Sequence, residues 1–221
     1  DCGGGIIITA SHNPKEYNGF KVYNEEGCQL ITELAEIVIN NVNKIDDYLN
    51  ISLELNDEQK QLIKYIDNKV IEKYLNITLA TQLNENTNDD FKVVYSSQHG
   101  AGINVIPELL ERANYNYTIV ESQANIDGDF SNTLSPNPED KEAYVEAVKI
   151  AKEIKANIVV TSDPDADRLG VAVLHEGEYQ LLNGNETTAI MLYYLLSEKD
   201  KLALLPDNPI VINTVVTSDI G

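Results

Sequence analysis

Tryptophan is missing from these 221 residues, methionine occurs once, and cysteine only twice, at Cys2 and Cys28. Two cysteines make no disulfide framework, and such scarcity points to a reducing compartment, the cytoplasm. Basic side chains are also few. Sixteen Lys and Arg stand against thirty-six Asp and Glu, for a net charge of −20. That balance argues against nucleic acid and against anionic membranes, both of which need basic surfaces. It does not define an acidic function, because much of the excess lies on stretches that read as solvated helix faces, such as 57–75. No run is long and apolar enough to span a bilayer, and no signal-peptide pattern occurs. The ends read as cuts: the chain reaches a β-branched run within a few residues of Asp1, and 209–221 reads as a strand and turn with no closing element. The expectation is a piece of a longer protein.

What is present is an alternation of β-branched runs and amphipathic stretches. "GIIITA" reads as a buried strand. Residues 31–43 read as a helix with Leu34, Ile37 and Val38 on one face, and 57–75 as a second, polar helix. The stretch "NENTNDD" at 84–90 has the composition of a linker. A new unit follows: strand "FKVVYSS", loop "QHGAG", helix, strand "YTIVES", a long loop through "SPNPED", helix, strand "NIVVTS", then "DPDADR" and strand "GVAVLH". This is a parallel α/β pattern, whose loops after each strand gather along one edge. A third unit opens near Asn183, with a helix and the strand "PIVINTVV".

Two loops carry chemistry. "TSDPDADRLG" sets Asp163, Asp165 and Asp167 at alternate positions just after a strand. Carboxylates this close repel one another unless a cation or several donors neutralise them. All-oxygen ligands suit Mg²⁺, Mn²⁺ or Ca²⁺ rather than zinc. An EF-hand does not fit: Arg168 stands where the loop needs Gly, Leu174 where it needs Glu, and Pro164 interrupts the ligand run. A haloacid-dehalogenase-like phosphatase would use Asp163 or Asp165 as nucleophile, and Arg168-Leu169 suits that pattern poorly. A plain solvated turn, with the aspartates capping nearby amides, stays open, and so does a non-catalytic, metal-binding acidic module.

The second loop is "TASHNPKEYNGFKVY". Ser11 and His12 are adjacent, and adjacent side chains seldom face each other. No GxSxG elbow is present, so acyl transfer is disfavoured. A serine that carries a phosphoryl group fits better, because donors from the backbone near Ser11 and from His12, Asn13, Asn18 and Lys21 suit a dianion. A phosphoserine beside a hard cation, with Arg168 close by, makes a coherent phosphoryl-transfer site.

Together these motifs resemble the α-D-phosphohexomutase superfamily, the phosphoglucomutases and phosphomannomutases. "TASHNPKEYNGFKVY" looks like its phosphoserine loop and "SDPDADRLGVAV" like its metal loop. "QHGAG" and "SPNPED" resemble stretches of its second domain. "LLNGNETTAIMLYYLLSEK" and "NTVVTSDIG" resemble the start of its third. The spacing from Ser11 to Asp163 is most similar to the long bacterial phosphoglucomutase branch. The resemblance implies α/β domains, with mixed or parallel sheets flanked by helices: 1–83 as the later part of a first domain, 84–182 as a second, and 183–221 as the opening of a third. It implies that Ser11 is phosphorylated, and that Asp163, Asp165 and Asp167 bind Mg²⁺ with a phosphoserine oxygen. Arg168 would contact substrate or phosphate. His12 and Lys21 would assist proton transfer, Lys21 as the better general base, and His99 would support the site. The implied substrate is a phosphosugar, with glucose 1,6-bisphosphate as intermediate. Little or no turnover is expected from this chain alone. The sugar and the oligomeric state stay open.

Overall fold

In a computed structural model the described residues are 2–214 and 217. They divide into two compact units. The first holds Asp1–Ala10 and Tyr17–Lys73, the second Ser11–Glu16 and Tyr74–Gly221.

In the first unit, strands β1 (Gly5–Ile8) and β2 (Phe20–Tyr23) pair antiparallel, with Ile7 opposite Lys21. The expected strand therefore forms, but it is not buried. Ile6 and Ile8 are 69% and 71% exposed, because a two-stranded ribbon leaves both faces of a strand uncovered unless another layer packs on it. Helix α1 (Thr32–Val42) lies where the apolar spacing places it. The polar stretch 57–75 is not one helix. Helix α2 (Asp57–Leu62) opens with a reciprocal capping box between Asn56 and Gln59. A break follows, and α3 (Asn68–Leu79), whose residues from Tyr74 on belong to the second unit, starts afresh where Asp67 Oδ1 accepts from the Lys69 amide. A side chain that caps a new helix competes with continuing the old one.

The second unit is built on a five-stranded sheet in the order β4-β3-β5-β6-β7. Its strands are β3 (Lys92–Ser96), β4 (Asn116–Ile119), β5 (Ile158–Ser162), β6 (Leu169–His175) and β7 (Glu178–Leu182). The β4-β3-β5 core is parallel, as the alternating pattern predicts. β6 and β7 run antiparallel to their neighbours, which makes the sheet mixed. β7 goes unnoticed in the sequence, although Glu178 to Leu181 alternates polar and apolar and sends Tyr179 and Leu181 to the core. Its signal is Glu176-Gly177, a two-residue turn with both φ angles positive, 49° and 86°.

Helices α4 (Ile106–Arg112) and α5 (Val145–Ile154) connect the parallel strands. α5 turns Ala147 and Ala151 inward onto Val94, Val159 and Ala172, all buried. Alanines let the helix approach the sheet closely while losing no side-chain entropy. Lys155 ends the helix in the left-handed region, and the Ala156 amide returns to the Ala151 carbonyl at 2.9 Å. Helix α6 (Gly184–Lys201) follows the sheet behind a second capping box, between Asn183 and Glu186. Residues 209–214 form no strand, and the rest of the strand expected there lies outside the described residues.

Candidate active site

β3 has β4 on one side and β5 on the other, so the chain reverses its direction of travel across the sheet at β3. In parallel sheets the loops at such a switch point splay apart and leave a crevice at the carboxyl ends of the strands. The loops after β3 and β5 meet there. Ser96 and Thr161 are register partners, which places 97–100 beside 163–168.

Asp163 caps the end of β5 and is fully buried. Its Oδ1 accepts from the Arg168 amide at 3.0 Å, and the Ala166 amide donates to its carbonyl at 3.0 Å. Ala166 takes a positive φ of 59°, which closes the turn. One carboxylate oxygen each from Asp163, Asp165 and Asp167 lies within 4.8 Å of the others. Burial pushes the Asp163 carboxyl above its ordinary range and neighbouring Asp165 adds to this, against the pull of the Arg168 amide and the Ser11 hydroxyl. A dense set of hard oxygens, one of them fully desolvated, fits a hard divalent cation.

Ser11 belongs to the same unit. Its Oγ donates to Asp163 Oδ2 at 2.9 Å, across 152 positions of sequence. Its backbone is left-handed, with φ 54°, a conformation that tends to collect at functional turns. Adjacent His12 does reach Ser11, with Nδ1 3.3 Å from Oγ, while its Nε2 lies 3.4 Å from an Arg168 guanidinium nitrogen. Thus Ser11, His12, Arg168 and the three aspartates form one constellation. Lys21 lies on β2 in the first unit, half-buried opposite Ile7.

His99 is buried with both ring nitrogens engaged. Nδ1 lies 2.9 Å from the Asn125 carbonyl, and Nε2 accepts from the Asn132 amide at 3.3 Å. This gives Nδ1 the proton and makes the ring a brace for the 125–132 loop. Sequence reasoning misses two further features. Gln98 donates to the Ala143 carbonyl and to Thr161 Oγ1 and accepts from Thr133 Oγ1, while Gln123 joins Ser96, Asn132 and Thr133. Lys15 reaches Asp129 at 2.9 Å, and that hydrogen-bonded carboxylate raises the lysine pKa. A cleft of about 430 Å³ runs between 12–16 and 129–140. Nothing local in sequence pairs residues so far apart, although the glycines of "QHGAG" hint at close backbone contact.

A serine hydroxyl held against a buried carboxylate set, at the switch point of an α/β sheet, is an arrangement that phosphoryl transfer would require. Comparison with known proteins gives the family. Residues 1–49 match the family model of phosphoglucomutase/phosphomannomutase α/β/α domain I, and residues 70–177 match that of domain II. The chain belongs to the phosphoglucomutase/phosphomannomutase family. A phosphoglucomutase of Staphylococcus aureus strain MRSA252 is 35% identical over 218 residues, and that of strain N315 is 34% identical. Each match covers 98% of this chain and 39% of the relative, so the chain spans about two-fifths of their length. In fold the chain is similar to a phosphoglucomutase/phosphomannomutase family protein from Burkholderia thailandensis, with TM-score 0.67 and 20% identity over 89% of this chain and 38% of that one. It is also similar to an N-acetylphosphoglucosamine mutase from Aspergillus fumigatus solved with glucose 1,6-bisphosphate, with TM-score 0.54 and 16% identity over 90% of this chain and 48% of that one.

Proposed function

We propose that this chain carries the phosphoserine and cation centre of a phosphoglucomutase, which interconverts glucose 1-phosphate and glucose 6-phosphate through glucose 1,6-bisphosphate. The observation that carries this reading is the 2.9 Å hydrogen bond from Ser11 Oγ to Asp163. The identity to phosphoglucomutases supports glucose as the sugar. The domain division at 83 and 182 belongs to the same reading, as does a cytoplasmic location. Among the described residues no helix is long and apolar enough to cross a membrane.

Asp163, Asp165 and Asp167, with an oxygen of phosphorylated Ser11, would hold Mg²⁺. When bound, the cation supplies electrophilic neutralisation of phosphoryl oxygens. The chain's own residues do the rest. The sugar hydroxyl attacks the phosphorus on Ser11 while the bond from Oγ to phosphorus breaks, and Oγ takes a proton from His12, whose Nδ1 lies 3.3 Å away. By the family resemblance Lys21 would take the proton of the attacking hydroxyl, with His12 beside Ser11 assisting. Arg168 offers a guanidinium to the phosphoryl oxygens. The bisphosphate then turns, and Ser11 Oγ attacks its other phosphorus as the bond from that phosphorus to the sugar oxygen breaks. His12 takes the Oγ proton, the base of the first step returns its proton to the leaving sugar oxygen, and Ser11 is phosphorylated again as the sugar monophosphate leaves.

The test is to incubate the chain with glucose 1,6-bisphosphate and Mg²⁺ and locate phosphate by peptide mass spectrometry. Phosphate on Ser11 is expected. Ser11→Ala should lower transfer by at least about 10³-fold, as loss of a nucleophile does. Phosphate on Asp163 or Asp165, with Ser11→Ala unaffected, would establish the phosphatase chemistry instead.

A further inference from the structure

Metal ligands bind well only when the backbone that carries them is held still. In this chain the acidic loop is held by a neighbouring loop that supplies no ligand. A Cβ on Gly100 would run into the Cα, C and O atoms of Pro164. The amide of Ala101 donates to the Pro164 carbonyl at 2.8 Å. Pro164 is the residue between the first two aspartates, so its backbone position sets where Asp163 and Asp165 sit relative to each other.

The supporting loop has little freedom to retreat. Gln98 and His99 take positive φ angles of 48° and 62° in succession, an arrangement that needs outside support. The Gln98 amide group is tied to Ala143 and Thr161 at 2.6 and 2.9 Å, and the Gly100 amide donates to Ser97 at 2.8 Å. Ser97, Gln98 and His99 are all buried. A rigid, buried turn thus presses glycine backbone against the one residue of the acidic loop whose own φ is fixed by its ring.

We propose that Gly100 and the Ala101 amide are positioning elements for the cation site, so that the affinity of the Asp163, Asp165 and Asp167 set depends on backbone contact with Pro164. This rests on the cation-binding reading of the triad. Any side chain at 100 pushes Pro164 outward and spreads the carboxylates, while the β3-β5 register and the core beneath remain.

The test uses Mn²⁺ alone, with free ion counted by electron paramagnetic resonance, alongside thermal unfolding of the metal-free chain. Gly100→Ala should weaken Mn²⁺ binding by at least about tenfold, the size of effect seen when the support of a metal ligand is lost. The metal-free unfolding midpoint should fall by only a few degrees. Binding within about twofold of the unsubstituted chain would overturn the proposal. Should Gly100→Ala not fold, hydrogen exchange of the unsubstituted chain decides: Mg²⁺ should slow exchange at the Ala101 and Ala166 amides together. Slowing at Ala166 with Ala101 unchanged would overturn it. If the unsubstituted chain binds no Mn²⁺, the cation reading itself falls and takes this inference with it.

Discussion

Asp163 carries the opposing demands of this site in one side chain. It is wholly buried and its carboxyl is pushed up by that burial, yet it must be ionised to serve as a ligand. Replacing it with asparagine keeps the shape, removes the buried charge and lets the amide meet Ser11 Oγ. Asp163→Asn should therefore unfold at a temperature equal to or above that of the parent in metal-free buffer. It should also lose the upward shift that Mg²⁺ produces in the parent. Differential scanning fluorimetry with and without Mg²⁺ reads both, and a parent with no shift would remove the cation from the site. The identity of these residues was legible in sequence: alternate aspartates after a strand already call for neutralisation. The meeting of Ser11 with the aspartates is implied by the family resemblance and not by local spacing; that His12 reaches both Ser11 and Arg168 was not legible, because neighbouring side chains usually diverge. Here a left-handed Ser11 turns the loop so that they converge.

At the scale of elements, the serine loop is anchored by its Lys15 contact with Asp129. The Asp129 amide donates to Asp127 Oδ1 and the Asp127 amide to the His99 carbonyl, so this anchor leads back to the buried turn beside the acidic loop. Under the proposed function, phosphate on Ser11 would add negative charge next to three carboxylates, and an anchored loop would resist that repulsion. Lys15→Met should lower the rate of Ser11 phosphorylation by about two- to fivefold, the modest scale of an exposed ion pair. The charge swap Lys15→Asp with Asp129→Lys should restore part of the loss, and added salt should shrink the difference. Local rules read most elements well. They failed at 57–75, where the cap at Asp67 restarts the helix, and at β7, whose polar–apolar alternation spans only Glu178 to Leu181.

At the scale of the whole molecule, stability in the second unit is concentrated where α5 packs on the parallel strands. Val159→Ala removes buried methyl groups from that layer and should cost about 2 kcal/mol in urea unfolding. Tyr95 contributes a pH dependence. Burial pushes its phenol up to about 12, against the opposing hydrogen bond with Ser162 at 2.9 Å. In the unfolded chain a tyrosine ionises near about 10. The folded form keeps its proton longer, so this contribution is intact below about pH 10 and is lost as pH rises through about 12. Alkaline unfolding followed by circular dichroism should show that loss in the parent, and a smaller one in Tyr95→Phe.

By itself the sequence determined the α/β class, the positions of most strands and helices, and the residue types gathered in the serine and acidic loops. These follow from periodicity and residue type, which act over a few positions. Only the tertiary structure decided that β6 and β7 turn antiparallel and that β1 lies exposed. It alone also decided that His12 reaches both Ser11 and Arg168 and that Gly100 must stay bare against Pro164. Contacts across many positions depend on sheet order, register and close packing, and those arise when separate elements share one core rather than from any local stretch of residues.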